Sequence, residues 1–88
     1  MREIIEHRKV AKDLAAAPEE VRKRYQKWKD IVSISGPKGL KKIRGFRDET
    51  LSGKWKEFRA SRLNLQYRVI YQVHEDRVLV QVEKITPP

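Results

Sequence analysis

The sequence has no cysteine, no long apolar run and only two histidines among its 88 residues. The absence of cysteine excludes disulfide bonds and thiolate metal ligands, and it is consistent with a reducing compartment. No segment approaches the roughly 20 apolar residues of a membrane-spanning helix, and Met1-Arg2-Glu3 does not open a signal peptide. We therefore expect a cytoplasmic protein without a membrane partner, folded as one domain over residues 1–88.

The sequence also lacks the usual motifs of cofactor and metal chemistry. It contains no glycine-rich phosphate loop, no spacing typical of metal ligands and no Ser/His/Asp set. His7 falls at a predicted strand-to-helix junction and His74 in a predicted hairpin turn, so we interpret both as ordinary exposed residues. We expect no cofactor and no metal ion.

Positive charge is what the sequence has in excess. Its 21 lysine and arginine residues against 12 acidic ones give a formal net charge of +9. Residues 38–68 hold ten of the cations and three of the anions, and so carry most of this excess. Such a concentration on a small domain favours a polyanionic partner, with a merely solvated surface as the alternative.

The first half of the chain reads as a strand followed by a helical hairpin. We predict a strand over residues 2–6 and a helix from about residue 8 that is interrupted at Pro18. A second helix is predicted over residues 18–34, because proline is tolerated in a first helical turn and the next two residues are acidic. Ser35-Gly36-Pro37 ends it. The apolar stripe of this second helix consists of Val21, Tyr25, Trp28 and Val32.

The second half reads as an irregular segment followed by three strands. Residues 38–53 are expected to be mostly loop, with one helical turn or a short strand. The strands are predicted over residues 54–63, 67–73 and 78–85, with turns at 64–66 and 74–77. The fold class is therefore α+β, in the order β-α-α-β-β-β, with the helical hairpin packed on one face of an antiparallel sheet.

The strand over residues 67–73 carries a cation among apolar residues. Strict alternation sends Tyr67, Val69, Tyr71 and Val73 to one face, which we assign to the core together with Tyr25 and Trp28. Arg68 then lies on the other face, and a guanidinium there is costly unless it reaches water or an anion. Trp55 and Phe58 break the alternation of the preceding strand, so a bulge there would bring one of them to the cationic surface.

These cations suit the chemistry of RNA cleavage without a metal. When a ribose 2′-hydroxyl attacks the adjacent phosphate, the developing negative charge must be stabilised and protons must be transferred. The predicted catalytic cations are Arg68, Arg62, Lys56 and Lys54, and the predicted nucleic-acid contacts are Arg47, Arg59, Lys41, Lys42 and Arg44. Asp48, Glu49 or Glu57 could accept a proton, although each reads more simply as a surface carboxylate.

The chain resembles the RelE/ParE superfamily of bacterial type II toxins, and within it the RelE and HigB-like messenger-RNA interferases. The resemblance lies in Tyr67-Arg68-Val69-Ile70-Tyr71-Gln72-Val73, preceded by Arg59-Ala60-Ser61-Arg62-Leu63 and followed by residues 78–85 and Thr86-Pro87. It implies a fold similar to microbial ribonucleases, cleavage of mRNA in the ribosomal A site with contacts to 16S rRNA, and neutralisation by a cognate antitoxin. It also implies that Arg68 stabilises phosphate, that Lys54 and Lys56 match active-site lysines, and that Arg62 matches a recurrent arginine.

This sequence departs from the family pattern at the proton-transfer groups. Relatives of this kind continue past Thr86-Pro87 with a His-Asp-Tyr-like tail, where this chain has Pro88, and some carry a histidine where Arg47 stands. We therefore expect RNA or ribosome binding with weak or absent cleavage. Two alternatives stay open: a ParE-like toxin that binds DNA gyrase without catalysis, and a basic RNA-binding domain.

Overall fold

The computed structural model describes residues 2–74 and 79–87. Two helices, α1 (Lys9–Ala16) and α2 (Glu19–Ser35), follow a first strand, β1 (Glu3–Glu6). The remaining strands are β2 (Glu49–Thr50), β3 (Arg59–Arg62), β4 (Arg68–His74) and β5 (Leu79–Thr86). Short 3-10 turns cover Pro37–Lys42, Arg44–Phe46 and Gly53–Trp55. In the described part of the chain, no helix combines the length and the apolar character that crossing a membrane requires.

The five strands form one mixed sheet in the order β1-β5-β4-β3-β2. The pairs β2–β3, β3–β4 and β4–β5 are antiparallel, as predicted. The pair β1–β5 is parallel, so the prediction of a wholly antiparallel sheet is wrong at this edge. Because β1 and β5 lie at opposite ends of the chain, no hairpin turn dictates their relative direction. The α+β class is confirmed.

The helical hairpin packs on one face of the sheet, as predicted. Pro18 separates the two helices, and the first turn of α2 carries Glu19 and Glu20. The buried residues of α2 are those of the predicted stripe: Val21, Tyr25, Trp28 and Val32. Gly36 then ends the helix with φ +73°, and its N–H donates to the Val32 carbonyl at 2.9 Å.

The strand predicted over residues 54–63 is wrong in its first half. Only Arg59–Arg62 is extended, and Gly53–Trp55 forms a 3-10 turn that begins at a glycine with φ +67°. The Phe58 N–H donates to the Trp55 carbonyl at 2.8 Å, and the two rings meet edge to face with centroids 5.0 Å apart. The three-residue spacing of these aromatics therefore reflects a helical turn, which takes Lys54 and Lys56 off the sheet.

The irregular segment is more ordered than predicted. Its two 3-10 turns each bury one apolar side chain, Leu40 and Phe46, against the core. The predicted turn at 64–66 is present, where Asn64 Oδ1 accepts the N–H groups of Gln66 at 2.8 Å and Tyr67 at 2.6 Å. The predicted turn at 74–77 lies largely outside the described residues; His74 itself is the half-buried last residue of β4.

Candidate nucleic-acid interface

Strand β4 separates an apolar face from a cationic one, as its alternation predicts. Val69 and Tyr71 are buried in the core cluster beneath the helices. Arg68 and Ile70 lie on the opposite side, which we call the outer face of the sheet. In the antiparallel pairing, Arg68 stands opposite Arg62 on β3 and opposite Thr86 on β5. Arg68 is therefore flanked by polar residues from both neighbouring strands.

A register shift in β5 adds a second cation beside Arg68. Ile70 pairs with Lys84, whereas Tyr71 pairs with Val82, so Glu83 is an extra residue on β5. The shift lets Val82 and Ile85 both face the core although three positions separate them. Lys84 is thereby placed on the outer face, next to Ile70 and diagonal to Arg68.

Arg68 and Lys84 line a concave site of about 370 Å³ on the outer face, which we call the outer pocket. Its lining residues are Leu51, Ser52, Trp55, Arg68, Ile70, Lys84, Thr86 and Pro87. Arg68 Nε is buried and has no hydrogen-bond partner among the described residues. Lys84 Nζ stands 4.9 Å from the centroid of the Trp55 ring, within cation–π range.

The composition of the outer pocket matches a nucleotide more closely than a peptide. Two cations and the Ser52 hydroxyl provide donors for phosphate oxygens, and none of the described residues that line the pocket is acidic. The Trp55 indole offers a flat surface on which a base could stack. Trp55 reaches this surface through the Gly53–Trp55 turn, not through the bulge that we predicted.

Arg62 and Arg47 line a neighbouring site of about 390 Å³, which we call the arginine pocket. Its other lining residues are Arg24, Gly45, Leu63, Asn64 and Leu65. Arg24 stacks on the buried Phe46 ring, with its guanidinium carbon 4.0 Å from the ring centroid. Arg47 adopts φ +43°, a left-handed conformation that is unusual for a residue with a side chain. Three arginines from three separate segments therefore converge beside the β3–β4 turn.

Arg59 occupies a different environment from the other predicted cations. It donates to Asp48 Oδ2 through Nη2 at 2.5 Å and through Nε at 3.1 Å. The Asp48 side chain is only 1% exposed, so it is not the surface carboxylate that the sequence suggested. It also accepts hydrogen bonds from Ser61 Oγ at 2.8 Å and from the Tyr71 hydroxyl. Trp28 Nε1 donates to Ser61 at 3.0 Å, which links this network to α2.

Solved structures share this whole arrangement of elements. A chain of the archaeal RelE–RelB complex from Pyrococcus horikoshii superposes with a TM-score of 0.77 at 24% identity, covering 98% of this chain and 93% of that one. YafQ from Escherichia coli gives 0.69 at 20% identity, with 99% and 93% covered. A chain of the YoeB–YefM complex from Staphylococcus aureus gives 0.75 at 14% identity, with 100% and 98% covered.

The chain has the RelE-like fold. No protein-family model and no curated protein sequence matches it. At these identities, the likeness establishes the architecture and leaves the role of each side chain to its own geometry.

In this fold, the buried network around Asp48 holds the strands of the sheet in place and does not supply a proton-transfer group. Burial raises the pKa of Tyr71, and the hydrogen bond to Asp48 raises it further. Partial burial opposes the charge on Arg59, but its hydrogen bonds to Asp48 and Tyr71 outweigh this effect and raise its pKa. Tyr71 is therefore a neutral donor and Arg59 a permanent cation, so neither is suited to transfer a proton near neutral pH.

The remaining predicted site residues are exposed cations outside the outer pocket. Lys54 and Lys56 flank Trp55 on its turn, and Lys42 and Arg44 lie on or beside the two earlier 3-10 turns. Lys41 lines a separate pocket together with Arg59. Five of the nine predicted cations thus line three separate pockets, the other four are exposed outside them, and the roles of all nine stay predictions.

Sequence reasoning missed Lys84 and Arg24. Lys84 had a signal: the apolar positions Val80, Val82 and Ile85 are spaced by two and then three, which breaks alternation and is typical of a β-bulge. Arg24 had no such signal, since α2 carries several other basic residues outside its apolar stripe, among them Arg22, Lys23 and Lys27. Only the packing of α2 against Phe46 places it beside Arg47 and Arg62.

Proposed function

We propose that this chain is the toxin of a type II toxin–antitoxin system and acts on mRNA in the ribosomal A site as an endoribonuclease. The observation that supports the proposal best is the outer pocket, which Arg68, Lys84 and Trp55 line together and in which no described lining residue is acidic. Arg68 lines this pocket and forms no ion pair among the described residues, so its positive charge is available to an anion.

The proposed reaction is an intramolecular transesterification of RNA. The 2′-oxygen bonds to the adjacent phosphorus, the bond to the 5′-oxygen of the next nucleotide breaks, and a 2′,3′-cyclic phosphate remains. The 2′-hydroxyl proton passes to water, and the departing 5′-oxygen takes a proton from water. Arg68 and Lys84 stabilise the additional negative charge on the phosphate oxygens as the attack proceeds. Trp55 would hold a base and so orient the scissile phosphate.

The weak point of the outer pocket as a nuclease site is proton transfer. Among residues 2–74 and 79–87, none that lines the pocket carries an imidazole or a carboxylate. Asp48 is buried and accepts hydrogen bonds from several donors, while Glu49 and Glu57 are exposed and do not line the pocket. Because positioned acid–base groups contribute about 10²–10⁴-fold to such reactions, we expect cleavage to be slow.

The other predicted cations are proposed to hold the RNA strand and the ribosome. The arginine pocket would take phosphates beyond the scissile one, because Arg62 pairs directly with Arg68 across the β3–β4 ladder. Lys54 and Lys56 lie on either side of Trp55 and would reach flanking phosphates. Contacts to 16S rRNA are assigned to the exposed Lys42 and Arg44.

A cognate antitoxin is the proposed protein partner. Similar folds were solved as RelE–RelB, DinJ–YafQ and YoeB–YefM complexes. For this chain, a net charge of +9 favours an acidic or amphipathic segment that covers Arg68 and Lys84 and so blocks RNA.

A translation assay with ribosome-bound mRNA tests the proposal. We expect the purified chain to inhibit translation and to leave an A-site cut detectable by primer extension. Arg68→Ala should lower both effects about 100-fold, the loss typical for one donor to a developing oxyanion. Lys12→Ala is the matched control, because Lys12 is an exposed cation on α1 outside every described pocket. Equal inhibition by the wild-type chain and Arg68→Ala would contradict the proposal.

A gyrase-binding toxin without catalysis is the second candidate. The absence of an acid–base residue from the outer pocket lining favours it. Expression would then induce DNA damage while translation continues, whereas the leading proposal requires the reverse. A basic RNA-binding domain without toxicity would produce neither effect and would show only salt-dependent RNA affinity.

A further inference from the structure

A third cationic site, the pocket that Lys41 and Arg59 line, lies on the helix-bearing side of the sheet. It has a volume of about 290 Å³, and we call it the N-terminal cation pocket. Its lining residues are Arg2, Pro37, Lys38, Lys41, Arg59 and Val73. Four of these six are cations, and none is acidic. Val73 packs against the core beneath the helices, so this pocket and the outer pocket are on opposite faces.

The position of Arg2 is built into the fold. Its backbone N–H donates to the Ser33 carbonyl of α2 at 2.9 Å. Its side chain lies over Gly36, where an added Cβ would stand 2.9 Å from Arg2 Nε. Arg2 Nη1 is buried and has no hydrogen-bond partner among residues 2–74 and 79–87. A guanidinium that is held in place at the lining of a pocket, and that forms no ion pair among the described residues, is a preorganised anion ligand.

The other cations of the N-terminal cation pocket are only partly neutralised. Asp48 compensates Arg59. In the described part of the chain, no ion pair involves Arg2, Lys38 or Lys41. Lys38 and Lys41 lie three residues apart on the Pro37–Lys42 turn, a spacing that places them on one side of a 3-10 helix. Three uncompensated positive charges therefore surround one small concavity.

We propose that the N-terminal cation pocket binds a phosphate of a second RNA segment, so that the protein is held between two stretches of RNA. The inference rests on the proposed RNA-directed function, and it adds a second contact on the face opposite the reacting phosphate. Phosphate is favoured over an acidic peptide because the lining is cationic with only Pro37 and Val73 as apolar contacts, which gives a peptide little apolar surface to bury.

Amide chemical shifts of ¹⁵N-labelled protein test for the site directly. Titration with inorganic phosphate should give saturable shifts at Gly36, Gly39 and Lys41 in the wild-type chain. The same shifts should persist in Arg68→Ala, since that change lies on the other face of the sheet. They should be lost in Arg2→Gln and in the double variant Lys38→Gln/Lys41→Gln, whose two residues are exposed and tolerate change. Lys27→Gln on α2 is the matched control.

A comparison of short and long RNAs distinguishes a specific contact at the N-terminal cation pocket from non-specific attraction to the positively charged protein. A trinucleotide spans about 10 Å at 3.4 Å per stacked nucleotide, too short to contact both faces at once. Its binding, followed by the Trp55 indole resonance, should be unchanged by Lys38→Gln/Lys41→Gln. Affinity for a 30-nucleotide hairpin with single-stranded ends should fall about tenfold in that variant, with a salt slope smaller by about 1–2.

Three results would overturn the inference. The first is that neither phosphate nor the hairpin shifts the Gly36–Lys41 amides. The second is that Lys27→Gln weakens hairpin binding as much as the double variant. The third is that those amides respond only to a glutamate-rich peptide. If Arg68→Ala inhibited translation as strongly as the wild-type chain while the phosphate shifts were intact, the nuclease proposal would be contradicted. The anion site proposed here would still stand.

Discussion

At the scale of single residues, whether a cation lines the outer pocket predicts how much it contributes to cleavage. Lys84 lines the pocket and contacts the Trp55 ring, whereas Lys54 is exposed outside it. Lys84→Ala should therefore lower ribosome-dependent mRNA cleavage about tenfold or more, and Lys54→Ala should lower it only a few-fold. Primer extension over a time course measures both rates. A larger loss for Lys54→Ala would mean that family likeness locates the active lysine better than this geometry does.

Arg68→Lys tests whether the shape of the guanidinium matters beyond its charge. A lysine keeps the positive charge but offers no planar fork for two phosphate oxygens. We expect Arg68→Lys to bind RNA with an affinity close to that of the wild-type chain but to cleave it at only a small fraction of the wild-type rate. Filter binding and single-turnover cleavage separate the two quantities. Cleavage by Arg68→Lys at the wild-type rate would show that Arg68 acts only as a point charge.

Asp48 is the residue on which the buried network depends. Asp48→Asn keeps the shape but leaves Arg59 without its charge partner, and we expect a loss of about 2–4 kcal/mol in the free energy of unfolding. Urea denaturation measures the change. Glu49→Gln is the control, because Glu49 is exposed on β2 and its substitution should stay within about 0.5 kcal/mol. Equal effects of the two variants would show that the network is not stabilising.

The same network makes stability fall at high pH. Burial and then Asp48 raise the pKa of Tyr71 above its ordinary value of 10.0, so the folded state binds the phenolic proton more tightly than the unfolded chain. Stability is therefore complete below pH 10.0 and is lost as the pH rises from there towards the folded pKa. Each such tyrosine contributes a slope of up to about 1.4 kcal/mol per pH unit.

Tyr71→Phe isolates this contribution. The variant should be less stable at pH 7 because Asp48 loses a donor, but its stability should fall less steeply above pH 10. Part of the slope should remain, because burial and Glu6 raise the pKa of Tyr25 in the same way. Thermal unfolding at intervals between pH 8 and 11 measures both effects. Parallel curves for the two proteins would contradict the assignment.

At the scale of elements, two glycines position parts of the outer pocket and of the N-terminal cation pocket. Gly36 and Gly53 both have positive φ, at +73° and +67°, which favours glycine over any other residue. An added Cβ at Gly53 would meet nothing within 4 Å, whereas at Gly36 it would contact Arg2 Nε at 2.9 Å. Both Gly→Ala changes carry backbone strain, and only the change at Gly36 also displaces Arg2.

We expect Gly53→Ala to cost about 1 kcal/mol of stability and Gly36→Ala somewhat more. Their functional effects should differ in kind. Gly53→Ala should disturb the turn that carries Trp55 and lower affinity for a trinucleotide, while Gly36→Ala should weaken the phosphate response of the N-terminal cation pocket. Urea denaturation and the amide titration measure these effects. Identical functional profiles would argue against two separate sites.

At the scale of the whole molecule, RNA binding should depend steeply on salt. The outer and arginine pockets contribute five cations, namely Arg68, Lys84, Arg24, Arg47 and Arg62. At about 0.7 counterions released per phosphate contact on a single strand, the log–log slope should be about −3 to −4. Affinity should then fall roughly 100-fold between 50 and 200 mM salt. A slope near −1 would indicate that most of these five cations do not contact a phosphate.

Elements with a local pattern could be predicted from the sequence alone. The stripe of α2 recurs at helical spacing and the residues of β4 alternate, so both could be read without knowing what they pack against. The same alternation placed Arg68 on the face away from the core. The excess of positive charge and its concentration in residues 38–68 were equally visible.

The contacts between side chains, in contrast, became known only from the folded chain. Lys84 joins Arg68 through a register shift between β4 and β5, and Asp48 is buried because Arg59, Ser61 and Tyr71 converge on it. Trp55 reaches the outer pocket through a turn that its neighbours alone did not specify. The physical reason is that register and burial are set by contacts between segments far apart in the chain, whereas periodicity is set by the backbone of one segment.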